Sequence, residues 1–423
     1  MRLLTFAACV GFLVVASCSS SSSDSNGNAG GVGNGGGNNG NGTPGVVDAG
    51  GGGDNGNGGD NGAPGVVDAG SDSDAEQEVE PAATIHILGR YDDSNRFSWP
   101  GTQIRARFSG TGVTLSLNEM CTGWFNGCDW FDVTVDGVAL APLVFTTSES
   151  GDYVLATGLA DGEHDLIVAK RTESSVGVAQ LLGITPEGGD LVETTLSFSH
   201  RIEFIGDSIS CGYGVLGADA SCSFSPDTES EPLAYPALTA VALNSSHTTI
   251  AYSGKGIIRS SGSSDPDPQS MPQLYVRTLA DDLNSQWDFR DVPDAVIINL
   301  GTNDFSVSDP GPEFVSTYVD FMATVRSKYP AAHIMVALSP MVTNNYPWDP
   351  DPDMDIKGAR DTLQDYLNEV ITARQEAGDA NVSMIEFDAL QDADYGCDYH
   401  PNKAAHQRMS DQLVVALRAQ LGW

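Results

Sequence analysis

The feature that most constrains the fold is a set of five short apolar runs in the C-terminal half of the chain. Helical stretches with apolar residues at three-to-four spacing lie between most of them, as at 314–329 and 359–378. Strands that are apolar on both faces are typical of a parallel sheet that helices cover on both sides. Residues 198–423 are therefore predicted to form an α/β domain. The five runs are 201–208, 248–254, 294–304, 333–341 and 382–390.

Residues 83–197 show a different pattern, in which apolar and polar residues alternate along short segments. Turn residues separate these segments, and the Asp-Gly pairs at 136–137 and 161–162 are of the kind that tight hairpins prefer. Alternation with frequent turns predicts an all-β domain built as a sandwich, and a jelly roll is the form we expect.

The first 82 residues are predicted to lie outside both domains. In residues 1–18, Arg2 precedes an apolar core too short to span a membrane, and small residues lead to Cys18. This predicts a bacterial lipoprotein signal with Cys18 as the lipidated residue, while an ordinary signal peptide stays open. Residues 19–82 are rich in Ser, Gly, Asn and Asp and are predicted to be a disordered linker. The expected location is the bacterial cell envelope, at the outer membrane or cell surface, or outside the cell.

The charge balance argues against nucleic acid and anionic lipid heads as partners. The formal net charge is −37. Ten of the 57 acidic residues lie in 19–82, and Arg2 is one of the 20 basic residues, so residues 83–423 keep 47 acidic and 19 basic side chains. Such a surface repels polyanions and suits an exported protein that acts on neutral substrates.

Two of the seven cysteines belong to the predicted signal, so five remain in an oxidising compartment. Cys121 and Cys128 lie seven residues apart and are predicted to form a local disulfide. Cys211, Cys222 and Cys397 cannot all pair with one another, and the sequence does not choose among their pairings.

No metal and no other cofactor is predicted. No Cys or His pair has the short spacing of metal ligands. The acidic segment 348–355 lacks the Gly and the final acid of a calcium loop, and we interpret it as a solvated loop beside the site. Its neighbour Tyr346 and its own Trp348 either stack on a sugar or pack within the loop.

Polar residues follow several of the predicted strands, and the fold would bring them to one edge of the sheet. Ser208 ends the first run, and the clusters SGKG, GTND and CDYHP occupy 253–256, 301–304 and 397–401. Each residue taken alone is commonplace, because serine and glycine are frequent in turns and helix caps. Together they supply a nucleophile, a base and hydrogen-bond donors, which is the equipment of acyl transfer.

This ordered set resembles the SGNH, or GDSL, hydrolases over residues 201–423. The resemblance implies a flavodoxin-like α/β/α fold with Ser208 as the nucleophile and His400 as the base. It also implies an oxyanion hole made by the main-chain N–H groups of Ser208 and Gly254 and the side-chain amide of Asn303.

One position departs from the common family pattern, which places the triad acid three residues before the histidine. Cys397 occupies that position here, and Asp398 is the nearest acid. Asp398 is therefore the candidate that orients His400, with Asp394 as an alternative, and a Ser–His pair without an acid stays open.

The two predicted domains together are similar to carbohydrate esterase family 2 over residues 84–423. The segments that carry this similarity are GRYD, YVLATGLADGEHDLIVAKRTE, GDSISCGYG, SGKG and GCDYHPN. The resemblance implies removal of O-acetyl groups from plant polysaccharides such as xylan and glucomannan, by a protein we expect to be a monomer. The alternatives are a lipase- or thioesterase-like acyl hydrolase and an inactive surface lipoprotein that binds glycans.

Overall fold

The computed structural model describes residues 78–122, 127–346 and 358–423. The predicted signal at 1–18 with Cys18, all but the end of the predicted linker, and Trp348 with its acidic segment lie outside these residues. Among the described helices, none is long and apolar enough to cross a membrane.

The described residues from 78 to 198 form short strands without a helix of their own. Their bounds are β1 Glu78–Val79, β2 Ile85–Leu88, β3 Arg96–Phe97, β4 Gln103–Gly110, β5 Gly112–Cys121, β6 Trp130–Val135, β7 Val138–Ala139, β8 Leu143–Val144, β9 Glu149–Ala156, β10 Gly162–Lys170, β11 Gly177–Glu187, β12 Leu191–Val192 and β13 Ser197–Phe198.

Most of these strands build two large antiparallel sheets, and β1 pairs with β13 in a separate two-stranded sheet. One runs β12-β4-β10-β6-β7, with β2 on β4 and β8 on β6, and the other runs β3-β11-β5-β9. Buried and partly exposed residues alternate strictly along β4 and β6. Phe97, Phe108, Leu115, Phe131 and Phe145 fill the core between the sheets. The predicted all-β sandwich is confirmed, because the alternation in the sequence is the alternation of core and surface.

The C-terminal part alternates strands and helices. The strands are β14 His200–Gly206, β15 Ser245–Ala251, β16 Ala295–Asn299, β17 His333–Leu338 and β18 Val382–Glu386. The helices are α1 Ser208–Cys211, α2 Tyr235–Ala242, α3 Met271–Leu274, α4 Pro312–Lys328, α5 Ala359–Glu376 and α6 Lys403–Leu421. Short 3-10 helices occupy Glu231–Leu233, Asp392–Asp394 and Cys397–Tyr399.

All five strands of this part are parallel, in the order β15-β14-β16-β17-β18. This is the flavodoxin-like order, and it confirms the predicted α/β fold. Every residue of β16 and β17 is buried, which explains why these strands are apolar apart from Asn299 and His333 at their ends and show no alternation.

Helices cover the sheet on both faces, and neighbouring residues of one strand point into opposite cores. Ile298 of β16 belongs to the core formed with α4 and α5, where Phe314 and Leu363 are buried. Ile297 belongs to the other core, where Tyr235 of α2 and Leu413 of α6 are buried.

A buried ion pair joins the sandwich to the α/β part. Arg90 lies between β2 and β3, and its guanidinium is 3.1 Å from the carboxylate of Glu203 in β14. The hydroxyls of Tyr275 and Tyr329 donate to the same carboxylate at 2.9 and 3.1 Å. Main-chain carbonyls of Tyr275 and Arg277 accept from the guanidinium, so both charges are hydrogen-bonded in the interior.

Candidate active site

Ser208 and His400 meet at the carboxyl end of β14, the second strand of the parallel sheet. Ser208 is the first residue of α1, directly after β14, and its Oγ lies 2.8 Å from His400 Nε2. His400 follows the 3-10 helix Cys397–Tyr399, after the last strand of the sheet. The structure therefore brings together the predicted nucleophile and the predicted base, 192 residues apart in the chain.

The chain must turn sharply to place Ser208 there. Asp207 caps α1, and its carboxylate accepts a hydrogen bond from the N–H of Ile209 at 3.0 Å. Gly212 ends this one-turn helix with φ 76°, and a Cβ on it would come within 2.4 Å of the Ser230 carbonyl oxygen. The turn therefore requires glycine at 212.

His400 is oriented by a main-chain carbonyl. Its Nδ1 lies 3.1 Å from the carbonyl oxygen of Asp398, which fixes the imidazole so that Nε2 can accept the proton of Ser208. Burial lowers the pKa of His400 to about 4, so the ring is neutral near pH 7 and can act as a base. The ring of Tyr213 stacks on the imidazole, with centroids 4.0 Å apart.

The predicted role of the Asp398 carboxylate needs correction on this point. Its carboxylate accepts from the hydroxyl of Tyr213 at 2.7 Å and from the N–H of Phe224 at 3.0 Å, not from His400. The alternative, Asp394, pairs with Arg408 at 2.8 Å. The arrangement is a Ser–His pair in which Asp398 contributes its carbonyl and, through Tyr213, one wall of the imidazole site.

Two consecutive left-handed residues turn that carbonyl toward the imidazole. Asp398 has φ 50° and Tyr399 has φ 63°. Side chains other than glycine adopt this region at a cost of about 1 kcal/mol each, which the surrounding structure has to offset. The disulfide between Cys222 and Cys397 and the hydrogen bond from Asp398 N–H to the Cys222 carbonyl, 2.9 Å, fix the segment in this form.

The disulfides resolve the pairing that the sequence left open. Cys222 bonds to Cys397, and Cys211 is a free, buried cysteine at the end of α1. The predicted bridge between Cys121 and Cys128 is confirmed, with a Cα–Cα distance of 4.8 Å. The described residues contain no group of three or more His, Cys, Asp or Glu side chains arranged to hold a metal ion.

The predicted oxyanion donors line the same cavity as Ser208 and His400. Within the described residues, neither the Ser208 N–H nor the Gly254 N–H donates to another group. Gly254 has φ 77°, which favours glycine. The Asn303 amide nitrogen donates to the Lys255 carbonyl at 2.9 Å and lies 3.3 Å from a carboxylate oxygen of Asp207. Two main-chain donors are thus free for an oxyanion, and the longer contact of Asn303 is the one an oxyanion would replace.

Asp304 is a structural carboxylate that the sequence interpretation did not single out, although it stands in the GTND cluster. It is fully buried and accepts hydrogen bonds from the N–H groups of Ile257, Ile258 and Arg259 at 2.8–3.1 Å. Burial raises its pKa to about 6 and that of Asp207 to about 7. Through its three hydrogen bonds, Asp304 holds the segment that follows Gly254 in place.

The cavity above Ser208 has a volume of about 450 Å³ and an aromatic wall. Tyr213, Tyr346, Tyr395 and Tyr399 line it, and the hydroxyl of Tyr346 donates to the Thr302 carbonyl at 3.0 Å. A cavity of this size accepts a small polar ligand such as a sugar unit with its substituent, and aromatic rings suit the apolar faces of sugars.

Two family models match the chain. Residues 87–194 match carbohydrate esterase 2 N-terminal, and residues 204–408 match the GDSL-like lipase/acylhydrolase family. Together they cover the sandwich and the part of the chain that carries Ser208 and His400.

Two similar proteins align with this chain over both the sandwich and the α/β part. The cellulase/esterase CelE of Acetivibrio thermocellus is 36% identical over 366 residues, which are 83% of this chain and 41% of that protein. An acetylxylan esterase / glucomannan deacetylase of Cellvibrio japonicus is 28% identical over 349 residues, 80% of this chain and 89% of the relative. The chain thus spans about two fifths of the length of CelE.

A solved structure agrees with these relatives. A family two carbohydrate esterase from Clostridium thermocellum, in complex with cellohexaose, has a TM-score of 0.72 and 35% identity. The match covers 80% of this chain and 99% of that one.

Proposed function

The chain belongs to carbohydrate esterase family 2, and from that membership we propose that it is a serine esterase that removes O-acetyl groups from polysaccharides. The observation that carries the proposal is the 2.8 Å contact between Ser208 Oγ and His400 Nε2, beside two free main-chain donors. A hydroxyl, a neutral imidazole and fixed N–H donors are what ester cleavage through an acyl-serine requires.

The geometry supports a two-step reaction. His400 Nε2 takes the proton of Ser208 as its Oγ attacks the acetyl carbon, and the N–H groups of Ser208 and Gly254 donate to the carbonyl oxygen as it becomes negative. The C–O bond to the sugar then breaks, and the sugar oxygen leaves with the proton from His400. Water then attacks the acetyl carbon as His400 takes its proton, the bond from that carbon to Ser208 Oγ breaks, and Oγ leaves with the proton from His400, which gives acetic acid and free Ser208.

Xylan and glucomannan are the substrates we propose. The Cellvibrio japonicus relative carries both in its name, and the Clostridium thermocellum structure holds a cello-oligosaccharide. The tyrosine wall of the cavity and the acidic surface both suit a neutral glycan.

The test is acetate release from acetylated xylan and acetylated glucomannan by purified residues 78–423, with Ser208→Ala alongside. We expect release by the parent protein and loss of at least about a thousandfold in the variant, because Ser208 carries the hydroxyl that His400 contacts. Equal release by the variant would contradict the mechanism. Cleavage of p-nitrophenyl acetate without release from either polymer would contradict the substrate.

We also propose that Cys18 is lipidated and anchors the protein to the cell envelope, and that the protein is a monomer. The support for the anchor is the sequence before Cys18. Cys18→Ser should move the protein from the membrane fraction to the soluble fraction, and an unchanged distribution would contradict the anchor. Light scattering during size-exclusion chromatography gives the oligomeric state.

A further inference from the structure

The segment that follows β10 runs from the sandwich to the back of the active site. The KRTE motif at 170–173, which the proposed reaction does not use, starts at the last residue of β10 and leads into this segment. The Arg171 carbonyl accepts from the N–H of Glu231 at 3.0 Å, and the N–H of Glu173 donates to the Glu229 carboxylate at 2.9 Å. These two contacts fasten the segment to the α/β part.

Glu173 reaches the oxyanion loop from this segment. Its side chain is fully buried, and one carboxylate oxygen accepts from the N–H of Ser253 at 2.7 Å. Ser253 directly precedes Gly254, which lines the cavity and whose N–H has no acceptor among the described residues. A displacement of Ser253 therefore moves the Gly254 donor as well.

The loop that contains Gly254 is held by a carboxylate on each side. Glu173 holds it before Gly254, and Asp304 holds it after Gly254 through three N–H groups. Asp304 comes from the α/β part, whereas Glu173 comes from the sandwich. The position of the Gly254 donor thus depends on both parts of the chain.

Glu173 belongs to a cluster of buried carboxyl groups, and burying so many acidic side chains together is energetically unfavourable. Glu119, Asp129 and Glu229 are also buried nearby, and Lys170 is the cation that pairs with this group, at 2.6 Å from Asp129. Buried carboxylates are a poor way to stabilise a fold, and apolar side chains of the same volume serve at least as well. Such violations of local rules are expected where function constrains a position.

We propose that Glu173 is a positioning residue for ester hydrolysis, which fixes the Gly254 N–H toward the oxyanion through its hydrogen bond to Ser253. The inference rests on the proposed function, since it assigns a role within that reaction. It also makes the sandwich a contributor to catalysis. Glu173 does not touch the substrate, so its removal should impair the transition state and leave substrate binding in place.

The experiment compares Glu173→Ala, Glu173→Asp and Glu173→Gln in the intact protein, with p-nitrophenyl acetate as the ester. Glu173→Ala should lower kcat by about 10- to 100-fold, with KM within about twofold, because a misplaced oxyanion donor costs about that much. Glu173→Gln keeps an acceptor for Ser253 and should stay within about threefold of the parent. Glu173→Asp keeps the carboxyl group but moves it away from the Ser253 N–H, so its kcat should lie between those of Glu173→Gln and Glu173→Ala. If Glu173→Ala does not fold, the comparison of Glu173→Asp with Glu173→Gln tests the proposal.

Glu119→Gln is the matched control, because it changes a buried carboxyl of the same group that does not contact the loop. It should leave kcat unchanged. Equal losses in Glu173→Gln and Glu173→Ala, or a lower Tm without a change in kcat, would overturn the proposal.

A second readout separates this proposal from the proposed function. Phosphonylation of Ser208 by a fluorophosphonate depends on the oxyanion donors and needs no particular ester, so its rate should fall in Glu173→Ala by a similar factor. Phosphonylation of the parent without acetate release from any ester would reject the proposed function. The role of Glu173 would then be decided by the phosphonylation rates alone. Equal phosphonylation rates in the parent and in Glu173→Ala would reject that role.

Discussion

The imidazole of His400 lies between two oxygen atoms of different kinds, the hydroxyl of Ser208 at Nε2 and the main-chain carbonyl of Asp398 at Nδ1. A carbonyl fixes the tautomer as a carboxylate would, but it brings no charge to stabilise an imidazolium. Burial of the ring favours the unprotonated base, and the hydrogen bond to the Asp398 carbonyl opposes that effect only in part.

The Asp398 carboxylate should therefore matter much less than a triad acid would. Asp398→Asn tolerates the left-handed conformation and keeps the carbonyl, and it weakens only the contacts to Tyr213 and Phe224. We expect kcat to fall by less than about tenfold, against about 10⁴-fold for loss of a true triad acid. His400→Ala is the control for full loss, and a fall in Asp398→Asn that approaches it would contradict this assignment.

The pH dependence follows from the lowered pKa of His400. A histidine acts as a base only when neutral, and burial lowers its pKa from 6.5 to about 4, so the neutral form prevails above that value. We expect kcat/KM for p-nitrophenyl acetate to hold down to about pH 5 and to fall only below it.

Asp207 also titrates near the site, with a pKa that burial raises to about 7. Asp207→Asn removes that titration and should leave the acid limb in place. An acid limb centred at pH 6.5 or above that persists in Asp207→Asn would contradict the expected pKa of His400.

At the scale of the elements, the conformation of the loop 397–400 is fixed by a disulfide bond. The Cys222–Cys397 bridge spans 175 residues of sequence and contributes about 5 kcal/mol to the free energy of unfolding, by restricting the unfolded chain. Replacing both cysteines by serine should lower that free energy by a similar amount and should lower kcat, because the Asp398 carbonyl loses its support.

The bridge between Cys121 and Cys128 provides the comparison. It closes a loop of only seven residues and lies in the sandwich. Its removal should cost about 2 kcal/mol or less and leave kcat unchanged. Urea unfolding and initial rates measure both effects, and an equal loss of kcat in the two double variants would contradict a specific role for the bridge at His400.

The same elements show what the sequence could predict. The five strands and the helices α4, α5 and α6 follow from apolar periodicity, because burial on two faces leaves a direct record in residue type. Ser208, Gly254, Asn303 and His400 could be assigned to one edge because parallel strands all end there.

The features that the sequence could not predict depend on tertiary contacts. The left-handed pair Asp398 and Tyr399 turns a carbonyl toward His400, and no propensity of aspartate or tyrosine predicts that. Cys222 lies in a loop with no periodic pattern, so its partner stayed open. Glu173 stands in a quoted motif, but its target Ser253 is 80 residues away.

At the scale of the molecule, the interface between the two parts is polar as well as buried. Arg90→Met should remove the charge partner of Glu203 and lower the free energy of unfolding by about 3 kcal/mol, because a buried carboxylate is left unpaired. Arg107→Met breaks an exposed pair with Asp165 and should cost less than about 1 kcal/mol. Urea unfolding compares the two, and similar costs would contradict the importance of the buried pair.

The interface also bears on how such a chain is inherited. Recombination near residue 198 would separate Arg90 from Glu203 and Glu173 from Ser253. A different sandwich domain joined there would have to supply a cation for Glu203 and an acceptor for the Ser253 N–H. Recombination before Glu80, near the point where the backbone pairing of the sandwich begins, would preserve these contacts. The sandwich and the α/β part should therefore travel between genes as one cassette, with variation concentrated in the segments that flank it.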